Sequence, residues 1–270
     1  MSAGALFSLD GLTAVVTGGT GTIGLALAHG LADAGATVAV LGRDPGKLAH
    51  AVARLAEAGH EAIALRADVT NAPPVEAACA ELLERTGRVD VLVNCAGGNV
   101  GAATLPDDAS PFEIGEDAYR EVLELNLIGT ILPSRVFGSA MAAGGSIVNV
   151  SSMAADRALT RVGAYGLAKA AVDGLTRSLA VELARRGTGI RVNAIAPGFV
   201  LGDQNRRLLL QEDGSPTERA ATILARTPLG RFGEADELVS TVVWLAAPGS
   251  RFVTGIVVPV DGGFSAFAGV

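Results

Sequence analysis

The 270-residue sequence predicts an α/β fold, a doubly wound parallel sheet with helices on both faces and formed as a single domain. Three observations predict it. Short β-branched runs alternate with longer amphipathic stretches along the chain. The apolar fraction is 49% with only 4% aromatic residues, so the core must be built from Ala, Val, Leu and Ile, which suits buried parallel strands under Ala-rich helices. A glycine-rich turn joins the first strand to the first long helix.

In order, strands are read at 13–17, 37–41, 62–66, 89–94, 146–150, 190–195 and 256–260. Helical segments begin near Ile23, Gly46, Pro74, Asp117, Tyr165 and Glu234, several announced by Gly, Asn, Asp or Pro where the chain turns. Right-handed crossovers put such helices on both faces of the sheet, and ligands bind beyond the carboxyl ends of the strands. No repeat, linker or low-complexity tract divides residues 1–270. Two stretches break the rhythm: one near 97–116, rich in Gly, Pro, Asp and Ser, and a charged one near 199–227. Both are expected above the carboxyl edge, where they would shape a substrate pocket.

A formal net charge of −7 opposes general affinity for nucleic acid or anionic lipid, since neither polyanion releases counterions to a surface of its own sign. A small molecule is the default partner. Cys79 and Cys95 lack CxxC spacing, and His29, His50 and His60 form no metal-like cluster, so neither a disulfide framework nor a metal site is expected. Residues 1–12 lack a basic start followed by an apolar run, and no stretch approaches the length of a membrane span. A cytoplasmic location without a membrane partner is the expectation.

The first strand runs into Thr17-Gly18-Gly19-Thr20-Gly21-Thr22-Ile23-Gly24 and then into a helix. Glycines let the chain turn sharply and let backbone N–H groups approach a pyrophosphate, whose charge is favoured at a helix N-terminus. Context carries the reading, because a lone glycine motif is weak in a chain with 35 glycines. Arg43 follows the second strand, with Gly42 where an acidic residue would meet a ribose 2′-hydroxyl. An arginine pairs with a 2′-phosphate where an acid repels it, so NADP(H) is favoured over NAD(H). Asp68 and Val69 follow the third strand and Asn94-Cys95-Ala96-Gly97 the end of the fourth, placed for the adenine and nicotinamide-ribose ends of a dinucleotide.

Tyr165 and Lys169 stand four apart on a helical segment, hence on one face. The chain holds only two tyrosines and two lysines, and nearly every other basic residue is arginine. A compact ammonium near a phenol is not interchangeable with a guanidinium. Hydride transfer to a carbonyl leaves an alkoxide that needs a proton, and a nearby cation is expected to lower the Tyr165 pKa toward that task. Ser152, thirteen positions earlier, is placed to hold the substrate oxygen, with Ser151 as local rival. Asn126, polar in an apolar helical stretch, reads as an internal anchor, as part of a water-linked proton path, or as both.

Together the glycine turn, Asp68, Asn94-Cys95-Ala96-Gly97, Asn126, Ser152, Tyr165-x-x-x-Lys169 and Asn193-Ala194-Ile195-Ala196-Pro197-Gly198 resemble the short-chain dehydrogenase/reductase family over essentially the full length. The resemblance implies a Rossmann-like seven-stranded sheet, a Ser-Tyr-Lys triad extended by Asn126, nicotinamide contacts at Pro197 and Gly198, and a homotetramer built through long helices. The usual turn has glycine where Thr22 stands and lacks Gly21, a pattern similar to the family's epimerase branch and to a subgroup like D-mannonate oxidoreductases, which reduce fructuronate. Gly97-Gly98-Asn99, Gln204-Asn205-Arg206, the 227–233 segment and the 252–265 ending also resemble that subgroup. Gly202-Asp203 replaces the Thr-Glu pair expected there before Gln204, and Arg226 replaces a frequent histidine. The expected reaction interconverts a ketone and a secondary alcohol, in a sugar acid whose carboxylate meets Arg161 or Arg206, with Asn99 nearby. The alternatives are a nicotinamide-binding sensor or scaffold without turnover, and an epimerase or dehydratase that uses the cofactor transiently.

Overall fold

The computed structural model describes residues 2–106, 108–202 and 205–269. A short helix α1 (Ala3–Phe7) leads into strict alternation: β1 (Thr13–Thr17), α2 (Thr22–Asp33), β2 (Thr37–Gly42), α3 (Pro45–Glu57), β3 (Ala62–Arg66), α4 (Ala72–Thr86) and β4 (Val91–Asn94). Then come α5 (Glu116–Leu123), α6 (Gly129–Ser139), β5 (Ser146–Val150), α7 (Gly163–Arg185), β6 (Arg191–Pro197), α8 (Arg206–Leu209), α9 (Glu218–Ala225), α10 (Val239–Ala246) and β7 (Val257–Val260). The seven strands pair in parallel in the order β3-β2-β1-β4-β5-β6-β7. Strand order reverses between β1 and β4, so a crevice opens above their carboxyl ends.

Every expected strand is present, and the differences lie at the ends. β4 begins at Val91 instead of residue 89 because the Asp90 carboxylate turns back to accept the Thr13 N–H at 2.9 Å and pairs with Arg88. β6 runs on to Pro197. The helix expected near Glu234 opens as a 3-10 turn, Ala235–Leu238, with Glu234 and Glu237 in a capping box, and becomes α-helical at Val239.

β1, β4, β5 and β6 are buried at every residue, which accounts for their mostly apolar sequences. Leu27, Leu31, Leu48, Leu55, Val242 and Leu245 of α2, α3 and α10 cover one face. Val75, Leu82, Phe137 and Ala180 of α4, α6 and α7 cover the other. A π-turn, Glu124–Ile128, links α5 to α6 and places Asn126 at 0% exposure. Among the described residues no helix is long and apolar enough to cross a membrane.

Candidate active site

The site begins where β1 ends. Thr17 is buried, and its hydroxyl oxygen accepts the N–H groups of Cys95 (3.1 Å) and Ala96 (3.2 Å), drawing the end of β4 against β1. Gly18 follows at φ +64°, where a Cβ would stand 2.7 Å from the Ala96 Cα. A Cβ on Gly24 would lie 2.3 Å from the Gly18 carbonyl oxygen, so the tight turn excludes side chains at both positions. Gly21 caps α2 without a side chain, leaving the first N–H groups of the helix at the positive end of its dipole with no side-chain partner. That cradle fits a pyrophosphate. Gly21 and Thr22 are exposed, whereas Ile23 turns its side chain into the core, so what it offers a ligand is backbone.

At the far end of the crevice, Arg43 Nη1 stands 3.8 Å from Asp68 Oδ2, a long and solvent-washed pair. Asp68 accepts the backbone N–H (3.0 Å) and hydroxyl (2.7 Å) of Thr70. The backbone bond above all holds its carboxyl below the usual value, with Arg43 contributing least. A Cβ on Gly42 would come within 3.0 Å of the Thr20 methyl, so a side chain there would crowd the turn. Two residues expected at the ligand turn their side chains inward, which leaves their backbone to face it. Val69 is 6% exposed and packs in the core. Asn94 turns inward and donates to Ser134 Oγ (2.9 Å) and Asn149 Oδ1 (2.8 Å), while Asn149 donates to Thr176 Oγ1 (2.9 Å). This buried chain ties β4 and β5 to α6 and α7, a role available because polar groups out of water require partners.

The first turn of α7 carries Tyr165, and Lys169 follows one turn later with its Nζ over the phenol ring, 5.6 Å from the centroid. Lys169 is 4% exposed and donates to the Val150 carbonyl at 2.8 Å. Burial lowers its pKa to about 8, opposed by Cys95 and Asp173. Burial also pushes the Tyr165 phenol up, and the hydrogen bond to Ser152 works against that rise. Desolvation is the largest influence on the phenol here, and the Lys169 ammonium lies over the ring, bonded to Val150. Ser152 Oγ also accepts the Ala154 N–H at 3.1 Å, which orients it at the end of β5. Its rival Ser151 faces away, toward the Lys169 carbonyl (3.4 Å) and Asp173.

Asn126 is an anchor. Its amide nitrogen donates to the carbonyls of Gly98 (2.8 Å) and Val122 (2.9 Å), and its Oδ1 accepts the Gly98 N–H at 3.0 Å. Its own carbonyl accepts from the Thr130 hydroxyl at 2.8 Å. Gly97 lies between Asn126 and the lysine: a Cβ there would stand 2.7 Å from Asn126 Oδ1 and 3.2 Å from Lys169 Nζ. Past β6, the Gly198 N–H donates to the Val260 carbonyl at 3.0 Å, holding the Pro197-Gly198 turn to β7.

Of the expected substrate residues, Asn99 is exposed and donates to Thr104 Oγ1 at 2.7 Å. Arg161 donates from Nε to the Leu105 carbonyl at 2.9 Å. Arg206 is exposed at the start of α8. Asp203 and Gln204 lie outside the described residues. The sequence reading missed Arg157, which grips the Ser265 carbonyl from Nε (3.0 Å) and Nη2 (2.6 Å), and Arg219, which reaches the Thr160 carbonyl at 3.4 Å. It also missed Asp173, whose Oδ1 has no partner among the described residues and which lines a cavity of about 310 Å³ bordered by Ser152, Arg177 and Ser265. Nothing in local spacing marks these long-range contacts. Among the described residues no cluster of His, Cys, Asp or Glu would hold a metal ion.

A family model described as enoyl-(acyl carrier protein) reductase matches residues 19–265. The chain is 43% identical to the uncharacterized oxidoreductase UxuB of Bacillus subtilis, over 97% of this chain and 98% of that protein. It is 37% identical to a galactitol 2-dehydrogenase (L-tagatose-forming) of Cereibacter sphaeroides, over 96% and 97%. A crystal structure of a candidate D-mannonate oxidoreductase from Haemophilus influenza with bound NAD superposes with a TM-score of 0.91 at 36% identity, covering 100% of both chains. That of a gluconate 5-dehydrogenase from Burkholderia cenocepacia in complex with NADP and tartrate superposes with a TM-score of 0.87 at 33% identity, covering 99% of this chain and 100% of that one. Likeness at this level along the whole chain makes this protein an oxidoreductase of the short-chain dehydrogenase/reductase family that acts on CH–OH groups.

Proposed function

We propose that the enzyme interconverts a ketone and a secondary alcohol in a sugar acid of the fructuronate and mannonate kind, with NADP(H) favoured over NAD(H). The observation that carries the reaction is the Tyr165 phenol, set beside Ser152 with Lys169 Nζ 5.6 Å from its ring centroid at the carboxyl edge of the sheet. A bound nicotinamide supplies or accepts the hydride. Gly18, Thr20, Gly21, Thr22, Ile23 and Gly24 would hold its pyrophosphate, and Arg43, Asp68 and Val69 its adenosine end. Asn94, Ala96, Gly97, Pro197 and Gly198 would border the nicotinamide riboside, Asn94 from behind, with Tyr165 and Lys169 on the ribose.

Tyr165 gives its proton to the substrate oxygen in reduction and takes one in oxidation, and Ser152 holds that oxygen. Lys169 keeps a cation beside the phenol, and Asn126 fixes the backbone of residue 98 against it. Residues 97–116 and 199–227 form the pocket walls, with Asn99 and Arg161 in the first. Arg206 in the second offers an exposed guanidinium to a carboxylate. Support for NADP(H) comes from Gly42, which leaves no acid at the ribose, and from Arg43, whose side chain is 79% exposed and only loosely held. A homotetramer is part of the proposal, supported by Leu167 and Val181, apolar residues of α7 left exposed at 61% and 56%.

Tyr165→Phe is expected to abolish turnover while leaving nucleotide affinity nearly intact, and full activity in that variant removes the mechanism. A panel of polyols, sugar acids and ketones assayed with each nucleotide tests the substrate class. Tight nucleotide binding without absorbance change across the panel would mark a sensor, and turnover without net change in cofactor redox state an epimerase.

A further inference from the structure

The turn that follows β7, residues 261–265, pins the 199–227 wall at both of its ends. At the near end the Phe199 ring meets the Phe264 ring edge to face, with 5.6 Å between centroids. Just past the far end, the Leu229 N–H donates to the Gly262 carbonyl at 3.1 Å. Gly263, at φ +87°, lies so close to Pro228 that a Cβ there would stand 3.1 Å from the proline ring. Asp261 shapes the turn: its carboxylate accepts the N–H groups of Gly263 (2.9 Å) and Ser265 (2.8 Å) and the Ser265 hydroxyl. An aspartate that answers three donors within four residues fixes such a turn by local hydrogen bonds.

The same turn is held from a second side. Arg157 donates to the Ser265 carbonyl from Nε (3.0 Å) and Nη2 (2.6 Å), two charge-assisted bonds on one oxygen, 108 residues away in the chain. Arg157 also closes the short turn that begins at Ser152. Its own N–H donates to the Met153 carbonyl at 2.9 Å, the Ala155 N–H to the Ser152 carbonyl at 3.0 Å, and the Ala154 N–H to Ser152 Oγ at 3.1 Å. Asp156 stands 3.6 Å from the guanidinium, an exposed pair that adds little. One side chain therefore joins the turn that orients the Ser152 hydroxyl to the turn that carries both ends of the wall.

We propose that Arg157 is a positioning residue for the reaction: through the 261–265 turn it keeps the 199–227 wall in register with the Ser152 hydroxyl, an inference that rests on the role of Ser152 proposed above. Arg157 acts through these two turns, because Nε and Nη2 are already spent on the Ser265 carbonyl. A misplacement of about 1 Å at the reacting centre costs about 100-fold in rate, so a clasp that sets the wall against the hydroxyl bears directly on turnover.

The test is a double-mutant cycle in kcat on the full-length protein, Arg157→Ala against Ser152→Ala, with D-fructuronate and galactitol as probes and both nucleotides. Arg157→Ala is expected to lower kcat by about 10-fold, to leave nucleotide Kd within about threefold, and to lower kcat by less than about twofold where Ser152 is already alanine. Arg157→Lys, which keeps a donor without the fork, should fall between wild type and Arg157→Ala. Hydrogen exchange read by mass spectrometry needs no substrate and decides if neither probe is turned over: Arg157→Ala should speed exchange in 261–265, and Asp261→Asn should speed it in 152–157. Equal losses of kcat in both Ser152 backgrounds, or faster exchange confined to the mutated turn, overturn the proposal. Wild-type kcat in Ser152→Ala overturns the role of Ser152 and this inference with it. Melts confirm that each variant is folded, and if Arg157→Ala is not, Arg157→Lys carries the cycle.

Discussion

Arg161 and Leu105 hold each other by two hydrogen bonds: the Leu105 N–H donates to the Arg161 carbonyl at 2.9 Å, and Arg161 Nε donates back to the Leu105 carbonyl at 2.9 Å. Arg161 does so at φ 72°, the only non-glycine residue with positive φ among those described. Such backbone costs on the order of 1–3 kcal/mol and persists where the surroundings hold it. Here the clasp joins the 97–116 wall to the loop that delivers Tyr165, four residues on. Arg161→Ala should therefore lower kcat/KM by about 10- to 100-fold through misplacement of the pocket wall. Arg161→Gly, which adopts the conformation freely, should be more stable than Arg161→Ala by about 1 kcal/mol. Steady-state kinetics on a neutral polyol and on a sugar acid separate the roles: equal losses indicate the wall, and a loss confined to the acid makes the guanidinium a carboxylate ligand.

Lys169 gives a prediction in pH. Its folded pKa of about 8 lies below the unfolded value of 10.5, so the unfolded chain binds more protons between them and stability rises with pH across that window. Below pH 8 the burial cost of the ammonium is fully present. Because the residue is 4% exposed, the effect is not lost to solvent screening. Relative to Lys169→Met, the wild type should gain up to roughly 3 kcal/mol between pH 8 and 10.5. Urea denaturation of both proteins at several pH values measures it, and parallel stability curves would show that the lysine stays charged throughout.

The alternation of strands and helices was legible because buried parallel strands demand continuous apolar runs and their crossovers demand amphipathic ones. The Tyr165 and Lys169 pair was legible for a similar reason: four-residue spacing on a helix guarantees a shared face. What could not be read depended on direction and distance. Asn94 sits at a strand end where a ligand would be, yet its amide turns to Ser134 and Asn149, and only the packed interior shows that. The direction of the Tyr165 shift required the depth of the phenol and the position of the ammonium over the ring.

The proposed preference for NADP(H) turns on Arg43, whose long pair with Asp68 at 3.8 Å and high exposure leave it able to turn toward a 2′-phosphate at little cost. Arg43→Ala should lower kcat/KM for NADP(H) by about 10- to 100-fold, as expected for loss of a guanidinium–phosphate contact, and change that for NAD(H) by less than about threefold. Equal effects on both nucleotides would make Arg43 an ordinary surface residue, and better kinetics with NAD(H) in the wild type would reverse the preference.

Asn126 is fully buried, and each atom of its amide is engaged, Nδ2 with two carbonyls and Oδ1 with the Gly98 N–H. Aspartate has the same shape but donates nothing when ionised, so Asn126→Asp would set a carboxylate against the Gly98 and Val122 carbonyls out of reach of water. The cost should be about 3–5 kcal/mol, read as a lower urea midpoint. Protonation removes the charge and restores one donor, so the deficit relative to the wild type should shrink as the pH falls toward 5. Asn126→Ala removes donors and acceptor together, leaves the backbone groups of residue 98 unpaired, and should cost about 2–3 kcal/mol at every pH. If the residue acts only as an anchor, turnover in Asn126→Ala falls together with stability, because the backbone beside Lys169 loosens. A large loss of kcat in a variant as stable as the wild type would instead place Asn126 on the path of the proton.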